Sequence, residues 1–252
     1  MASGQTLSAP DIQIRALESQ DDFRGAVQLQ KSIWGFEDVD LLPARLFVVA
    51  TKIGGHAFGA FHNARMVAFC LSIPGLKTGG QYYLHSHMLG VAPEYRNYGI
   101  GRQLKLQQRE EALSRELDLM EWTFDPLELK NAYFNIERLG AVIRRYVRNQ
   151  YGKTSSQLHG GLPTDRCTAE WWLRSDRVVQ AIAGRAFSKP AIEAKVTVPA
   201  DIEQIRRNEP RRAREVQSAL CDRFEELFSE NLAVVAFEKS GTAGTYCFGR
   251  FA

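Results

Sequence analysis

The segment from Leu89 to Arg102 constrains the fold of this chain more than any other part of its sequence. A run typical of a buried strand leads into a turn that contains Gly99 and Gly101, and a helix is predicted immediately after it. Glycine lets backbone N–H groups approach a ligand closely, and the N-terminus of a helix carries partial positive charge. The segment therefore predicts an anion-binding site, flanked by the cations of Arg96 and Arg102.

The spacing of these glycines excludes two common nucleotide-binding motifs. The segment has no GxxxxGK(S/T) pattern, which a P-loop requires. It also lacks the GxGxxG spacing of a Rossmann fingerprint, and four or more strand-like runs precede it. On these residues alone, a tight strand-to-helix connection without a ligand remains the alternative to an anion site.

Apolar periodicity predicts alternating strands and helices around this segment. Strands are predicted at residues 11–16, 56–62, 66–73, 82–91, 119–124, 141–148 and 171–173. Helices are predicted at residues 21–34, 43–52, 129–139 and 176–184, and from the glycine turn to about residue 118. In that last helix, Leu106, Leu113 and Leu117 are spaced to form one buried face. A long loop is expected at residues 150–165, and loops of this length are typically functional or disordered.

The chain is too long for one average domain and too short for two. At roughly 150 residues per domain, its 252 residues correspond to one large domain with an addition. We expect a flexible tail at residues 1–10, a main domain at residues 11–185 and a small α+β extension at residues 186–252. The extension is expected to contain a strand, a helix from about residue 210 and a closing hairpin.

The composition is that of an ordinary globular protein, with 44% hydrophobic and 24% charged residues. No apolar run approaches the roughly 18 residues that a membrane span requires, and the first residues lack a signal-peptide pattern. The four cysteines are widely separated, which favours a reducing compartment over a disulfide framework or a zinc site. We therefore expect a cytoplasmic protein with no membrane partner and no metal.

The net charge of +3 is too small to indicate a nucleic-acid partner, which would need a clustered basic face. This surplus is unevenly distributed along the chain. Residues 186–252 contain ten basic and ten acidic residues, so the whole excess lies in the first 185 residues. A modest positive bias in that part suits an anionic small ligand.

The pattern V-x-P-x-x-R-x-x-G-x-G after a strand resembles the acyl-CoA-binding motif of the GNAT superfamily of N-acyltransferases. The family form is (Arg/Gln)-x-x-Gly-x-(Gly/Ala), which Arg96, Gly99 and Gly101 match. The predicted order of elements is similar to that of the family over roughly residues 11–175. Residues 86–91 and 122–127 further resemble a branch known as predicted acetyltransferases, and residues 186–252 are similar to it less closely.

This resemblance implies an α+β fold of α/β/α layers. The central sheet is expected to be mixed, mostly antiparallel and splayed at the motif strand, with a small C-terminal α+β extension. Acetyl-CoA or another acyl-CoA is implied as co-substrate, its pantetheine arm pairing with the end of the motif strand and its pyrophosphate lying on the glycine turn. The implied cofactor-binding residues are Leu89, Gly90, Val91, Arg96, Asn97, Tyr98, Gly99, Ile100, Gly101, Arg102, Gln103, Asn131 and Asn135.

In the family, the acceptor amine attacks the thioester directly, and a backbone N–H near Leu89 is implied to polarise its carbonyl. A general base must take a proton from the amine, because an ammonium group has no lone pair. The candidates are His87, Glu121 and Asp125, together with His85, which shares a strand face with His87. We favour His87, because it is closer to the polarising N–H and because imidazole titrates near neutral pH.

Relatives usually supply the general acid from a tyrosine shortly before a (Lys/Arg)-Leu-Gly turn. Here that turn is residues 138–140 and the matching position is Ile136, so the usual tyrosine is missing. Tyr133, three residues earlier on the same helix face, is the candidate substitute, and a packed core aromatic is its alternative role. Asn131 and Asn135 lie four residues apart on that helix and are expected to face the coenzyme.

The leading hypothesis is an acyl-CoA-dependent N-acyltransferase that transfers an acetyl or a longer group such as succinyl. Its acceptor is expected to be a primary amine of a small molecule, with an amino acid as one candidate. Arg166 is expected to bind this acceptor, because an arginine holds a carboxylate through two hydrogen bonds, and His85 is the second expected contact.

Two alternatives remain open. One is a non-catalytic acyl-CoA-binding or sensor module, which the missing tyrosine at Ile136 supports. The other is a protein acetyltransferase that uses residues 186–252 as a docking surface. Members of the family are often dimers, so a homodimer is one expected assembly.

Overall fold

The structure is a computed structural model that describes residues 10–152 and 161–251. It divides into two compact units. The first contains the residues up to Gly80 together with Leu84–Arg115, and the second contains Gln81–Tyr83 and the residues from Glu116 onward. The predicted tail, apart from residue 10, and residues 153–160 of the predicted long loop lie outside the described residues.

Four strands form the sheet of the first unit. They lie side by side in chain order and are β1 (Ile12–Ala16), β2 (His56–His62), β3 (Arg65–Leu76) and β4 (Tyr82–Val91). The pairs β1–β2 and β2–β3 are antiparallel. β2 and β4 have the bounds that the sequence predicts, whereas β3 continues past its predicted end at residue 73. The β2–β3 turn begins at Asn63, whose φ of 55° lies in the left-handed region that asparagine tolerates.

Three helices belong to the first unit: α1 (Gln20–Trp34), α2 (Ala44–Lys52) and α3 (Ile100–Ser114). α1 begins with a capping box, in which the Ser19 hydroxyl accepts from the Asp22 N–H at 3.0 Å and the Asp22 carboxylate accepts from the Ser19 N–H at 3.2 Å. It ends at Gly35, whose φ of 66° terminates the helix in a left-handed cap.

The sheet of the first unit is covered on both faces. One core joins α1 and α2 to one face of the strands and includes Phe23, Phe47 and Phe69. A second core joins α3 to the other face and includes Phe58 and Leu104. The open sheet between helices confirms the predicted layered α+β fold class, while the predicted splay at β4 stays a prediction.

The buried face of α3 differs from the predicted one. Its buried residues are Ile100, Leu104, Lys105, Gln108 and Ala112, whereas Leu106, Leu113 and Leu117 are only partly buried. The helix also ends earlier than predicted, at Ser114, and Glu116 then takes a left-handed backbone with φ of 59°. The buried face of this helix is therefore partly polar, which an apolar spacing rule does not reveal.

The second unit contains six strands in the order β5-β7-β6-β9-β10-β8, with every neighbouring pair antiparallel. The strands are β5 (Leu119–Phe124), β6 (Val142–Val147), β7 (Arg166–Trp172), β8 (Ala194–Pro199), β9 (Leu232–Lys239) and β10 (Ala243–Arg250). The helices are α4 (Leu129–Tyr133), α5 (Asp176–Ile182), α6 (Ile202–Asn208) and α7 (Pro210–Ser229). α6 is absent from the sequence prediction, and β7 begins five residues before the strand predicted there.

α4 continues directly into a π-helical turn at Phe134–Arg138. The N–H of Leu139 donates to the carbonyl of Phe134 at 3.0 Å, which is the i to i+5 bond of a π-helix. The sequence predicts an uninterrupted α-helix here. Because a π turn rotates less per residue than an α turn, the spacing of side chains around the helix changes here.

The strands of residues 186–252 continue the sheet of the second unit. β9 pairs with β6 at Val234 and Ile143. On α7, the ring of Phe224 is fully buried and packs edge-on against Tyr146 and Tyr246. The domain boundary predicted near residue 185 thus lies inside one compact unit, and the division into domains stays a prediction. Within the described residues, no helix has both the length and the hydropathy needed to cross a membrane.

Candidate coenzyme and acyl-transfer site

At the end of β4, Gly90 packs against α1, whereas the side chains of Leu89 and Val91 point toward α3. A Cβ atom at Gly90 would lie 2.6 Å from the ring of Trp34, closer than real Cβ atoms approach. On the other face, Leu89 and Val91 are the side chains nearest to the position that a Cβ would take at Gly101. Close packing therefore requires glycine at position 90, and Leu89 and Val91 line the start of α3.

The side-chain alternation of β4 is interrupted just before this end. Ser86 faces α3, because its hydroxyl accepts a hydrogen bond from Lys105 Nζ at 2.9 Å. Residues that share a strand face are an even number of positions apart, yet Ser86 and Leu89 are three apart. The interruption lies at His87 and Met88 and has the character of a β-bulge. It falls at the place where the resemblance implies a polarising N–H near Leu89.

A buried polar network joins β4 to α3 and β3. The Ser86 hydroxyl donates to Gln108 Oε1 at 3.0 Å, and Gln108 Nε2 donates to the Ser72 hydroxyl at 2.7 Å. Lys105 is buried beside them, and this burial lowers the pKa of its ammonium group to about 7. No sequence motif indicates that the residues of this network are buried together. The four-residue spacing from Leu104 to Gln108 was the available signal that they share the buried face.

A 3₁₀ turn at Pro93–Tyr95 connects β4 to the glycine turn and is attached to the β2–β3 hairpin. The hydroxyl of Tyr95 lies 2.8 Å from Nδ1 of His62, and Glu94 pairs with Arg65 at 2.7 Å. The ion pair is exposed and contributes little to stability, whereas the half-buried hydroxyl–imidazole contact is shielded from water. These two contacts therefore fix the backbone at the start of the glycine turn.

Two left-handed residues shape the glycine turn. Asn97 has a φ of 69° and Gly99 has a φ of 77°. A Cβ at Gly99 would meet no described atom within 4 Å, so the backbone rather than packing requires glycine there. Arg96 and Tyr98 are exposed on this turn, and Arg96 Nε donates to the Val91 carbonyl at 3.3 Å.

The first turn of α3 has the geometry of an anion site. The N–H of Gln103 donates to the Gly99 carbonyl at 3.0 Å, so this group is used within the helix. The preceding N–H groups of an α-helix have no partner inside the helix, and the helix dipole adds partial positive charge to them. A Cβ at Gly101 would lie 3.6 Å from Leu89 and 3.8 Å from Val91, which are ordinary contacts. The protein's own packing therefore does not require glycine at position 101.

Replacing Gly101 by leucine is expected to abolish acyl-CoA binding, because the larger side chain enters the space of the ligand. Gly101→Ala should bind acetyl-CoA within about twofold of wild type, because the family form of the motif accepts alanine at this position. Its fold should be retained, since the methyl group makes only ordinary contacts and alanine is favoured over glycine in a helix by about 1 kcal/mol. Calorimetric titration with acetyl-CoA measures the affinity, and thermal melting measures the stability.

Gly241→Ala is the matched control, because Gly241 lies in the β9–β10 turn with open space around it. It should bind acetyl-CoA like the wild-type chain. Wild-type affinity in Gly101→Leu would contradict the assignment of the glycine turn to the coenzyme.

His85 and His87 lie next to each other on β4, with ring centroids 5.8 Å apart, as the strand alternation predicts. Both rings are half-buried. Burial lowers the pKa of His87 below its ordinary value of 6.5. Its imidazole is therefore neutral at neutral pH and able to accept a proton.

Glu121 lies on β5 and is engaged in a buried ion cluster. Its Oε2 is 2.5 Å from a guanidinium nitrogen of Arg145, and only 3% of the residue is exposed. Directly across on β7 lies Glu170, which pairs with Arg144 at 2.7 Å. Two neighbouring buried carboxylates are thus each paired with an arginine, through charge-assisted hydrogen bonds.

Asp125 follows β5 and is also engaged. One carboxylate oxygen accepts from the Leu127 N–H at 2.8 Å, which fixes a tight turn after the strand. The other lies 3.1 Å from a guanidinium nitrogen of Arg206 on α6. Asp125 is buried, so both of its oxygens are held within the protein.

The candidate residues of α4 occupy different environments. Asn131 is exposed, whereas Asn135 is buried and its Oδ1 accepts from the indole N–H of Trp122 at 3.3 Å. Tyr133 is half-buried and Ile136 is fully buried. Asn131 and Asn135 thus differ in burial, as do Tyr133 and Ile136, and the shared faces stay a prediction.

Arg166 is the first residue of β7 rather than part of the preceding loop. Its guanidinium carbon lies 5.3 Å from the centroid of the Tyr151 ring, and one of its nitrogens donates to the Asp165 carbonyl at 3.2 Å. The carboxylate of Asp165 accepts from the Tyr146 hydroxyl at 2.7 Å and from the Asn149 N–H at 2.8 Å. These contacts fix the backbone from which Arg166 projects.

The predicted residues are divided between the two units. The histidines and the glycine turn belong to the first unit, and the carboxylates, the α4 residues and Arg166 belong to the second. Among residues 10–152 and 161–251, no group of three or more histidine, cysteine, aspartate or glutamate side chains is placed to hold a metal ion.

Residues 20–140 match the family model described as the acetyltransferase (GNAT) family. A comparison with curated proteins found no match. Among solved structures, the ribosomal-protein-S18-alanine N-acetyltransferase of Escherichia coli is similar, with a TM-score of 0.51 and 18% identity. This likeness covers 66% of this chain and 96% of that one.

Two further structures are similar at a comparable level. Naa50 of Arabidopsis thaliana, in complex with the bisubstrate analogue CoA-Ac-MVNAL, has a TM-score of 0.50 and 14% identity, over 63% of this chain and 97% of that one. The protein yncA of Salmonella typhimurium, solved with its cofactor acetyl-CoA, has a TM-score of 0.51 and 13% identity, over 65% and 95%. At these identities the likeness establishes the fold, and the family model agrees with it. Residues 20–140 therefore form a domain that is similar to the GNAT family of acetyltransferases.

Proposed function

We propose that the chain is an acyl-CoA-dependent N-acyltransferase that acts on a primary amine of a small molecule. The start of α3 supports this most strongly, because an exposed turn ends at Gly99 with open space beside it, and Gly101 is the second residue of the helix that follows. Such a site suits the pyrophosphate of coenzyme A. The end of β4 at Leu89, Gly90 and Val91 lies next to α3, where an extended pantetheine arm would pair with the main chain.

In the proposed reaction, the amine nitrogen bonds to the thioester carbonyl carbon, and the carbon–sulfur bond breaks to release coenzyme A. His87 takes the proton of the amine, since its lowered pKa keeps the imidazole neutral. A backbone N–H near Leu89 stabilises the negative charge that develops on the carbonyl oxygen. Tyr133 donates the proton that the leaving thiolate of coenzyme A requires.

Glu121 and Asp125 are assigned positioning roles rather than proton transfer. Each carboxylate already binds a guanidinium group, that of Arg145 and that of Arg206 respectively. A carboxylate held in this way fixes the guanidinium group and the element that carries it. Their removal is therefore expected to act on geometry.

The remaining parts of the proposal rest on the resemblance and on composition. Arg166 and His85 bind the acceptor, Asn131 and Asn135 contact the coenzyme side, and the transferred group is acetyl or a longer acyl such as succinyl. A cytoplasmic location and a homodimer belong to the same proposal. Acyl transfer in this family requires no metal.

One observation favours a second function, that of a non-catalytic acyl-CoA-binding module. Ile136 occupies the position of the usual tyrosine acid and is fully buried, so no proton donor is present at that position. In this alternative the chain binds acyl-CoA but does not bind and acylate an amine.

Release of coenzyme A from acetyl-CoA and succinyl-CoA, measured with a panel of primary amines, separates these functions. The panel includes amino acids and peptides with free N-termini, and mass spectrometry identifies the acylated product. We expect turnover of at least one small amine. Binding of acyl-CoA without turnover of any amine would support the non-catalytic module, and activity confined to peptides would indicate a protein acetyltransferase.

A further inference from the structure

The turn that leads from β5 into α4, Asp125–Glu128, is held by a buried arginine from α6. Arg206 is 7% exposed, and its guanidinium contacts two carboxylates of this turn. One nitrogen lies 3.1 Å from Asp125 Oδ2, and another lies 3.0 Å from Glu128 Oε1. These residues are about 80 positions apart in sequence, so the turn depends on a distant part of the chain.

Two further elements of the C-terminal region contact the same stretch. On β10, the Tyr246 hydroxyl donates to the carbonyl of Pro126. On β9, the Lys239 ammonium lies 4.3 Å from the centroid of the Tyr133 ring, within the range of a cation–π contact. α6, β9 and β10 therefore all contact the stretch that carries Asn131.

The charges make Arg206 essential to the conformation of the turn. One guanidinium group lies between two carboxylates, and burial together with the charge of Asp125 raises the pKa of Glu128. Without the guanidinium, two carboxylates in a poorly hydrated site would lose the positive charge that lies between them. They would then have to take up a proton or move apart, and the turn would move with them.

We propose that Arg206 is a positioning residue that sets the conformation of the Asp125–Glu128 turn, and through it places Asn131 for the pantetheine arm of acyl-CoA. This inference rests on the proposed function, in which Asn131 contacts the coenzyme. In this proposal the C-terminal region contributes to coenzyme binding, through the placement of Asn131.

Two probes that differ by the pantetheine arm test this inference on the full chain. Acetyl-CoA carries both the pyrophosphate and the arm, whereas adenosine 3′-phosphate 5′-diphosphate carries only the pyrophosphate part. In Arg206→Gln we expect the affinity for acetyl-CoA to fall about tenfold or more, with the affinity for the shorter probe within about twofold of wild type. The glycine turn, which would bind the shorter probe, belongs to the first unit, whereas Arg206 belongs to the second.

Arg207→Gln is the matched control, because Arg207 is the next residue of α6 and is exposed. It should bind both probes like wild type. Unchanged affinity for acetyl-CoA in Arg206→Gln would overturn the inference. An equal loss of both probes would also overturn it, because a general destabilisation does not distinguish the arm from the pyrophosphate.

If Arg206→Gln does not fold, Arg206→Lys and Tyr246→Phe provide the same comparison with milder changes. Each should weaken acetyl-CoA about threefold and leave the shorter probe unaffected, and wild-type affinities in both variants would overturn the inference. A wild-type chain that binds neither probe would overturn the proposed function and this inference with it. A wild-type chain that binds both, matched by Arg206→Gln, would overturn the inference alone.

Discussion

Replacing His87 by alanine is expected to lower kcat by about two to four orders of magnitude, the range that a positioned general base contributes. The affinity for acyl-CoA should remain within about twofold of wild type, because the anion site at the start of α3 does not use this side chain. The physical basis is the lowered pKa of the His87 imidazole, which burial keeps in the neutral form. Steady-state kinetics and calorimetric titration measure the two quantities separately.

The pH dependence provides a sharper test than the rate alone. With a total amine concentration well below KM, kcat/KM falls about tenfold per pH unit below the pKa of the amine, because only the neutral amine attacks. Below the pKa of His87 the base is also protonated, and the fall becomes about a hundredfold per pH unit. For His87 this second break is expected below pH 6.5, since its pKa is lowered. His87→Ala should keep the first slope and lose the second break.

Glu121→Gln and Asp125→Asn are the comparison variants, because they remove the competing candidates for the base. Both carboxylates are paired with arginines, so both variants should keep the second break even where their rates fall. A break that survives in His87→Ala and disappears in either of the others would transfer the role of base to that carboxylate.

Acidification from pH 7 to pH 4.5 is expected to reduce the free energy of unfolding by about 2.5 kcal/mol through His56 alone. His56 begins β2, is 5% exposed and packs its ring 5.0 Å from that of Phe58. Neither ring nitrogen has a hydrogen-bond partner among the described residues. Burial, with the nearby positive charges of Arg115 and Lys105, lowers its pKa to about 3.

The sign follows from which state binds the proton. The folded chain keeps His56 neutral down to about pH 3, whereas the unfolded chain protonates it below its ordinary pKa of 6.5. The unfolded state therefore binds more protons between these values, and stability falls as the pH falls through that window. Lys105 adds only about 0.4 kcal/mol to this loss, because its pKa of about 7 leaves it half protonated in the folded chain at pH 7 and fully protonated at pH 4.5.

Chemical denaturation of wild type and His56→Leu at both pH values isolates this contribution. The loss on acidification should be smaller in the variant by about 2.5 kcal/mol, because both chains share every other titrating group. An equal loss in His56→Leu and wild type would contradict the assignment.

The sequence predicts well those parts of the fold that local patterns determine. β2 and β4 have the predicted bounds, because each is an uninterrupted run closed by residues that favour turns. The glycine turn before α3 was recognisable for a similar reason, since the left-handed backbone at Asn97 and Gly99 needs residues that tolerate it. The layered fold follows from the order of these elements.

The parts that were not predicted depend on contacts between distant residues. Leucine spacing gives the wrong buried face for α3, because Gln108 and Lys105 are buried by binding Ser72 and Ser86 on other strands. The pairing of Arg206 with Asp125 likewise joins residues that no local pattern relates. The π turn after α4 adds a residue to one helical turn, and apolar spacing does not resolve so small a change.

The polar network beneath β4 also determines how accurately this strand is aligned during folding. A strand whose inward residues are all apolar can slip by two positions and still bury similar groups, but β4 cannot. A slip of two would bring Leu84 against Gln108 and Lys105 in place of Ser86, and each buried polar group left unsatisfied costs about 1–3 kcal/mol. A slip of one would exchange the faces of Ser86 and His87. The hydrogen bonds of Ser86 toward α3 therefore also fix the face of β4 on which His87 lies.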